Sequence, residues 1–160
     1  MASLPSDADL SELFTLGYRD SEVADMYGVT RQAVNLRWIQ RGLFRYPIAS
    51  QVVQMLGQLW EVKTSSGAGS HMHSHPCQSL RYYLRSKLGD TLSERQALTA
   101  LRFESRLRRK GEVLAYDPEA GFGYVKREPS DARLVVRWPA EVPRPTGELE
   151  ALWSIPETAA

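Results

Sequence analysis

Residues 20–35 have the sequence Asp-Ser-Glu-Val-Ala-Asp-Met-Tyr-Gly-Val-Thr-Arg-Gln-Ala-Val-Asn, a pattern that predicts two short helices joined by a tight turn. A small residue, Ala24, stands where two crossing helices would touch. Gly28 follows four positions later, where the turn needs a backbone conformation that glycine adopts freely. The remaining positions that should face inward are also apolar: Val23, Val29 and Val34.

Capping residues set the expected boundaries of these two helices. We expect Asp20 to cap a first helix over 21–27, because its side chain can accept a hydrogen bond from a free amide of the first turn. Thr30 should cap a second helix over 31–41 in the same way, and Gly42 should end it.

One position of the second helix departs from the expected pattern. A second apolar anchor should stand three residues after Val34, but the chain has Arg37 there, with Trp38 beside it. Either Trp38 takes the buried position, or Arg37 lays the aliphatic part of its side chain over the core.

The segment from Asp20 to Asn35 resembles the helix-turn-helix of DNA-binding regulators of bacteria and their phages. The hairpin sequence from Tyr116 to Val125, with the wider layout, is similar to small regulators carried by actinobacterial phages and mobile elements. In such regulators the second helix enters the major groove of duplex DNA, and its first residues reach base edges. The resemblance therefore implies that double-stranded DNA is the partner.

The side chains at the matching positions suit this role. Arginine matches the two acceptors of guanine, while glutamine and asparagine match the donor and acceptor of adenine. A helix start with free amides, and arginines beyond it, suit phosphates. The residues that we expect to contact DNA here are Thr30, Arg31, Gln32, Asn35, Arg37, Arg41 and Arg45. The alternative is that the two helices only pack together and that Arg31 and Gln32 form solvated surface.

Composition divides the chain into four segments. Residues 1–62 form the expected helix-turn-helix domain, and residues 63–76 form a Gly/Ser/His-rich linker. Residues 77–128 form a basic region, and residues 129–160 form a C-terminal tail that holds five of the nine prolines. Outside residues 20–42 and the basic region, we expect helices at 9–16, 48–62 and 148–153 and a short strand at 134–138.

The basic region is expected to contain two helices, at 78–88 and 94–110, followed by a β-hairpin over 112–125. A basic helix followed by a hairpin is similar to a winged-helix element, whose hairpin can touch the DNA backbone. The alternative is a small α+β packing domain with a solvated basic face. The residues that we expect to contact DNA here are Arg106, Arg109, Lys110, Lys126 and Arg127.

The charge distribution favours a local surface for a polyanion. The net charge is −2 over 1–62, +5 over 63–128 and −2 over 129–160, within a total of +1. Sixteen of the twenty basic residues are arginine, which suits bidentate contacts with phosphate or guanine. Codon bias in a GC-rich genome would produce the same excess.

The overall composition excludes several classes of protein. Apolar residues make up 42% and charged residues 24%, which is typical of a globular protein. The apolar runs are too short to span a bilayer, and the N-terminus lacks the pattern of a secretory signal. Cys77 is the single cysteine, so no internal disulfide can form. We expect a cytoplasmic protein, in the bacterial nucleoid or a phage-infected host.

A cluster of His71, His73, His75 and Cys77 contains every histidine and the only cysteine. Zinc favours such ligands, but this spacing is narrower than that of most zinc sites, and we expect no metal. The sequence Gly69–Met72 also matches the amino acids that an expression-vector cloning site leaves in a protein, so the linker is either natural or an engineered junction. Common catalytic and phosphate-loop motifs do not occur, and we expect neither an enzyme nor a cofactor.

Together these patterns predict a mainly α fold with a small β-hairpin, in which a helix-turn-helix domain precedes a winged-helix-like second region. The predicted function is a sequence-specific, double-stranded DNA-binding transcriptional regulator, of the phage repressor type. The modest net charge favours a homodimer on paired half-sites. The alternatives are a DNA-architectural factor for excision or packaging and a protein-interaction module that docks RNA polymerase.

Overall fold

The computed structural model of the protein describes residues 3–43, 47–63 and 70–157. These residues form a mainly helical fold with one antiparallel two-stranded hairpin, which confirms the expected fold class. The chain divides into two compact units, Met1–Pro47 and Ile48–Ala160. The elements are α1 (Asp7–Thr15), α2 (Asp20–Tyr27), α3 (Arg31–Gln40), α4 (Ile48–Leu59), α5 (His75–Lys87), α6 (Glu94–Lys110), β1 (Glu112–Asp117), β2 (Gly121–Lys126) and α7 (Gly147–Leu152).

The first unit contains the helices α1, α2 and α3 around one apolar core. Phe14 of α1 packs edge-on against the Trp38 indole of α3, with the ring centroids 5.3 Å apart. Helical spacing brings the apolar residues of each helix to one face, so all three helices contribute to the core. Its buried members are Leu10, Val23, Ala24, Val34 and Trp38.

The start of α2 differs from the expectation in its capping residue. The helix begins at Asp20 itself, and the residue before it, Arg19, takes the extended N-cap conformation. The Glu22 carboxylate accepts a hydrogen bond from the Arg19 amide over 3.0 Å. The prediction of Asp20 as the N-cap was therefore wrong. Arg19 holds the N-cap position, and the Glu22 side chain accepts the hydrogen bond from its amide. The Asp20 carboxylate accepts from the Ser21 amide over 2.7 Å instead.

The second unit begins with α4, which the sequence placed in the first domain. Helix α4 packs on α5, and α5 packs on α6, so these three helices share one unit. Helix α4 ends at Leu59, three residues before the expected boundary. The packing of α4 on α5 places α4 in the second unit, and its buried apolar residues are Ile48, Val52, Met55, Leu56 and Leu59.

The hairpin follows α6 and is longer than the sequence predicted. Strands β1 and β2 pair in register from Glu112 opposite Lys126 to Asp117 opposite Gly121. The connecting loop is therefore 118–120, because both ends of the expected five-residue loop belong to the strands. Gly121 has a φ of 85°, a conformation that glycine adopts without strain.

Part of the expected linker is folded. Residues 64–69 lie outside the described part of the chain, but residues 71–73 form a 3-10 turn and α5 begins at His75 rather than Gln78. Pro76 lies in the first turn of α5, where its missing amide costs no hydrogen bond. Met72 is buried.

The C-terminal segment is part of the core of the second unit. The carbonyl of Val135 accepts from the Leu114 amide over 3.0 Å, and the Val135 amide donates to the Trp153 carbonyl over 2.8 Å. Isolated β-bridges replace the expected strand at 134–138. The proline-rich composition therefore gives irregular backbone that is nevertheless packed through its buried residues Leu134, Val135, Val136, Leu152, Trp153 and Ile155.

Candidate nucleic-acid interface

The turn between α2 and α3 fixes the angle at which α3 leaves the core. Gly28 ends α2 in the left-handed conformation, with φ 66° and ψ 33°. The amides of Gly28 and Val29 both donate to the Ala24 carbonyl, the latter over 3.1 Å. The Thr30 hydroxyl then accepts from the Ala33 amide over 3.1 Å, which confirms Thr30 as the cap of α3. The second helix therefore starts at a defined place and in a defined direction.

The choice between Arg37 and Trp38 is settled by the packing. Trp38 is buried in the core of the first unit, and its indole nitrogen donates to the Leu10 carbonyl over 2.9 Å. Arg37 instead directs its guanidinium to the Asp7 carboxylate of α1 over 3.0 Å. The tryptophan takes the buried anchor position, and the arginine lies at the edge of the core.

Asp7 also contacts Arg41, the residue that follows the last turn of α3. The guanidinium of Arg41 lies 3.6 Å from the other carboxylate oxygen of Asp7, and about half of the Arg41 side chain is exposed. One carboxylate therefore partly neutralises two of the arginines that the sequence assigned to DNA. Arg45, a third arginine of that set, lies outside the described residues.

The first turn of α3 is the most exposed part of that helix's expected DNA-binding surface. Thr30 and Arg31 are exposed, while Gln32 and Asn35 are half-buried. The Arg31 side chain is 53% exposed and lies 3.7 Å from the Asp20 carboxylate, a loose surface pair. Further along α3, Leu36 and Ile39 are buried although they do not belong to the core around Trp38.

In the second unit, Arg106 makes close contacts within the protein. Its guanidinium stacks over the ring of Tyr124 on β2 at 3.7 Å and donates to the Glu112 carboxylate on β1 over 3.2 Å. Burial raises the pKa of Tyr124, and the positive charge of Arg106 opposes that rise. Arg106 thus fastens the hairpin to α6.

Arg127 also makes several contacts within the protein. Its guanidinium donates to the carbonyls of Ala132 and Leu134, each over 2.8 Å, and to the Glu112 carbonyl over 3.1 Å. Burial lowers the pKa of Arg127, and the charge of Asp131 opposes that change. Arg127 thereby joins the end of the hairpin to the C-terminal segment.

Three of the basic residues expected at this surface remain available to a ligand. Arg109, Lys110 and Lys126 are exposed, and within the described ranges their side chains make no ion pair. Arg109 and Lys110 lie in the last turn of α6, and Lys126 ends β2, so the three follow one another around the α6–hairpin junction.

The histidine and cysteine cluster is dispersed in the structure. His71 hydrogen-bonds the Tyr116 hydroxyl over 2.8 Å, whereas His73 and His75 are exposed. The Cys77 thiol is buried against the Met72 sulfur at 3.8 Å, and burial raises its pKa to about 11 against the opposing charge of Arg81. Among the residues that the structure describes, no three His, Cys, Asp or Glu side chains are grouped to hold a metal ion.

The comparison with known proteins gives the family. The chain is 32% identical over 162 residues to the repressor-like immunity protein of Mycobacterium phage L5, and the match covers 94% of this chain and 84% of that protein. The chain therefore belongs to the family of that phage repressor-like protein. No protein-family model matches the sequence. In the described part of the chain, no helix is both long and apolar enough to cross a membrane.

Proposed function

We propose that this protein is a phage-type repressor that recognises a specific sequence in double-stranded DNA through a helix-turn-helix formed by α2 and α3. The observation that carries the proposal is the exposed first turn of α3, which a buried core and a capped, glycine-containing turn hold in place. The family relationship to a repressor-like immunity protein supports the same function.

Arg31 is the residue best placed to read a base. Its loose contact with Asp20 is exposed, and such surface pairs contribute little to stability, so the guanidinium can leave Asp20 at small cost. A guanidinium that enters the major groove can donate two hydrogen bonds to guanine. Gln32 and Asn35 follow on the same helix, and the exposed parts of their side chains would read adjacent base pairs.

The remaining arginines of the first unit are assigned to the DNA backbone. Arg41 is the more exposed partner of Asp7, so we assign it to a phosphate contact. Arg37 keeps its shorter contact with Asp7 and positions that carboxylate. The proposal thus separates base recognition at the start of α3 from phosphate contacts at its end.

The second unit would add phosphate contacts of its own. We assign these contacts to Arg109, Lys110 and Lys126, because their charges are exposed and unpaired in the described structure. Arg106 and Arg127 are assigned to holding the hairpin, as their guanidinium groups already contact protein atoms. The proposed winged-helix contact with DNA therefore depends on these three residues, at the end of α6 and the end of β2. Repression would follow where the bound protein covers a promoter.

Selection of bound duplexes from random DNA tests this proposal with the whole chain. We expect an enriched motif; a palindromic motif would indicate a homodimer, and an asymmetric one a single chain on each site. Uniform recovery of all sequences would contradict base recognition. Strong bending of DNA without repression of a reporter promoter would favour the architectural role.

A salt titration on the selected site tests the second unit. Arg109→Ala and Lys126→Ala should each reduce the slope of log Kd against log salt by about one while leaving the motif unchanged. Lys63→Ala, which removes an exposed lysine outside the proposed surface, is the matched control. If the three variants and the unsubstituted chain all had the same slope, the second unit would not belong to the proposed interface.

A further inference from the structure

The outer face of α6 carries two exposed leucines that the proposed DNA contacts do not use. Leu98 is 45% exposed and Leu101 is 66% exposed. The opposite side of the helix is buried through Ala100, Phe103 and Leu107, so α6 is already packed on one side and open on the other. Since Leu98 and Leu101 are three residues apart, they lie next to each other on the open side.

Three arginines border these leucines at a regular spacing. Arg95, Arg102 and Arg109 are separated by seven residues each, so they follow the same edge of the helix. All three are exposed, and none has an ion-pair partner within the described ranges. We call Leu98, Leu101 and these three arginines the α6 outer face.

The α6 outer face has the pattern of one heptad of a two-helix contact, because the a and d positions that follow its two leucines are Ser105 and Arg108. With Leu98 at position a and Leu101 at position d of a heptad, the three arginines all occupy position e. The buried Ala100 and Phe103 then occupy c and f, which face away from a coiled-coil partner. In such contacts the a and d side chains supply the buried surface, and charges at e and g select the partner.

We propose that the α6 outer face docks an acidic amphipathic helix of a partner protein. The two leucines would pack against apolar side chains of that helix, and its carboxylates would pair with the row of arginines. The charge pattern is the evidence for an acidic partner, because three arginines along one edge attract carboxylates and disfavour a basic helix. This interaction does not depend on the proposed DNA recognition by α3.

A second copy of this chain fits the α6 outer face poorly. An antiparallel pair would place arginine against arginine at the e positions. A parallel pair would offer the g positions of the other copy, where Ala97 provides no charge and Glu104 is engaged by Arg108 at 3.3 Å. DNA also fits poorly, since the centre of the face consists of leucine side chains that a phosphate backbone would not cover favourably.

The test uses the full chain and two synthetic helical peptides of about three heptads, both with leucine at a and d. One peptide has glutamate at e and g, and the other has lysine there. Fluorescence anisotropy should show that the chain binds the glutamate peptide and not the lysine peptide. The double variants L98S/L101S and R95E/R102E should each weaken that binding by about tenfold or more.

A matched control is Leu16→Ser, because Leu16 is 66% exposed on the first unit, as exposed as Leu101. It should leave peptide binding unchanged, and thermal unfolding should show that every variant remains folded. Failure of the glutamate peptide to bind would overturn the proposal. Binding of a random-sequence duplex that L98S/L101S weakens, or self-association that L98S/L101S abolishes, would also overturn it in favour of DNA or of a second copy.

Discussion

The indole nitrogen of Trp38 donates a hydrogen bond to the backbone carbonyl of Leu10 over 2.9 Å, so α3 is tied directly to α1. Both residues are buried in the core of the first unit, and Phe14 packs edge-on against the same indole. Trp38 therefore contributes both a hydrogen bond and a ring contact to the packing of α3, the helix with the proposed base-reading residues, on α1.

Trp38→Phe should lower the free energy of unfolding of the first unit by about 1–3 kcal/mol, because the hydrogen bond and part of the buried surface are lost. Amide hydrogen exchange in α1–α3 measures this change. Trp60→Phe is the control, since Trp60 is only half-buried and lies in the second unit. If both variants left exchange in α1–α3 unchanged, the anchoring role of Trp38 would be wrong.

Gly28→Ala should destabilise the protein by about 1–2 kcal/mol, because a side chain strains the left-handed conformation that ends α2. Gly57→Ala should have the opposite sign, about 0.5–1 kcal/mol of stabilisation, since Gly57 lies inside α4 with open space around its α-carbon. Urea unfolding of the two variants measures both effects. Similar shifts in the same direction would contradict the backbone assignment at Gly28.

Arg31→Ala should weaken binding to the selected DNA site by about 1–3 kcal/mol and relax the preference at one base pair. Arg19→Ala removes the same charge from an exposed position at the start of α2 and should leave the base preference intact. Binding to the selected site and to single-base variants of it distinguishes the two effects. An equal loss on every sequence would show that Arg31 contributes only charge.

Acid should destabilise the second unit through Asp131. This buried carboxylate lies 2.8 Å from the Arg137 guanidinium and accepts from the Glu128 amide at 2.8 Å. Burial would raise the pKa of Asp131, but these hydrogen bonds and the nearby arginine charges outweigh it and hold that pKa below its ordinary value. The stabilisation is therefore present above the unfolded pKa of about 3.9 and is lost as the pH falls through the lower, folded pKa.

Asp131→Asn should remove this acid-dependent component and should cost about 1–3 kcal/mol at neutral pH, because a charged hydrogen-bond partner is lost. Urea unfolding between neutral pH and pH 3 compares the variant with the unsubstituted chain. Glu141→Gln, at an exposed position in the C-terminal segment, should keep the original pH profile. An unchanged profile in Asp131→Asn would assign the acid sensitivity to other carboxylates.

Local sequence rules predicted the first unit well. Thr30 as a cap and Gly28 as a turn residue depend on hydrogen bonds within a few residues, so their positions follow from the sequence alone. The same rules could not choose between Arg37 and Trp38, because that choice depends on Asp7 and Leu10 of another helix. The DNA contacts expected for the site residues stay a prediction.

The second unit was harder to predict because its contacts are distant in sequence. The backbone hydrogen bonds from Leu114 to Val135 and from Val135 to Trp153 leave no local pattern in a proline-rich segment. Arg127 shows that the candidate site is also hard to predict from sequence. Its position after the hairpin indicates a cation for phosphate, but its guanidinium donates to three backbone carbonyls. Heptad spacing on α6 was present in the sequence, yet only the burial pattern shows which side of that helix is open.

The position of Val135 between Leu114 and Trp153 has a consequence for synthesis of the protein. Domains fold in order as the ribosome delivers them, and the first unit is delivered before the second. The hairpin, by contrast, lacks its bordering segment until residues 134–155 have left the ribosome. The second unit would thus complete its packing only after Leu114 of β1 has gained its hydrogen bond with Val135, and Val135 its hydrogen bond with Trp153.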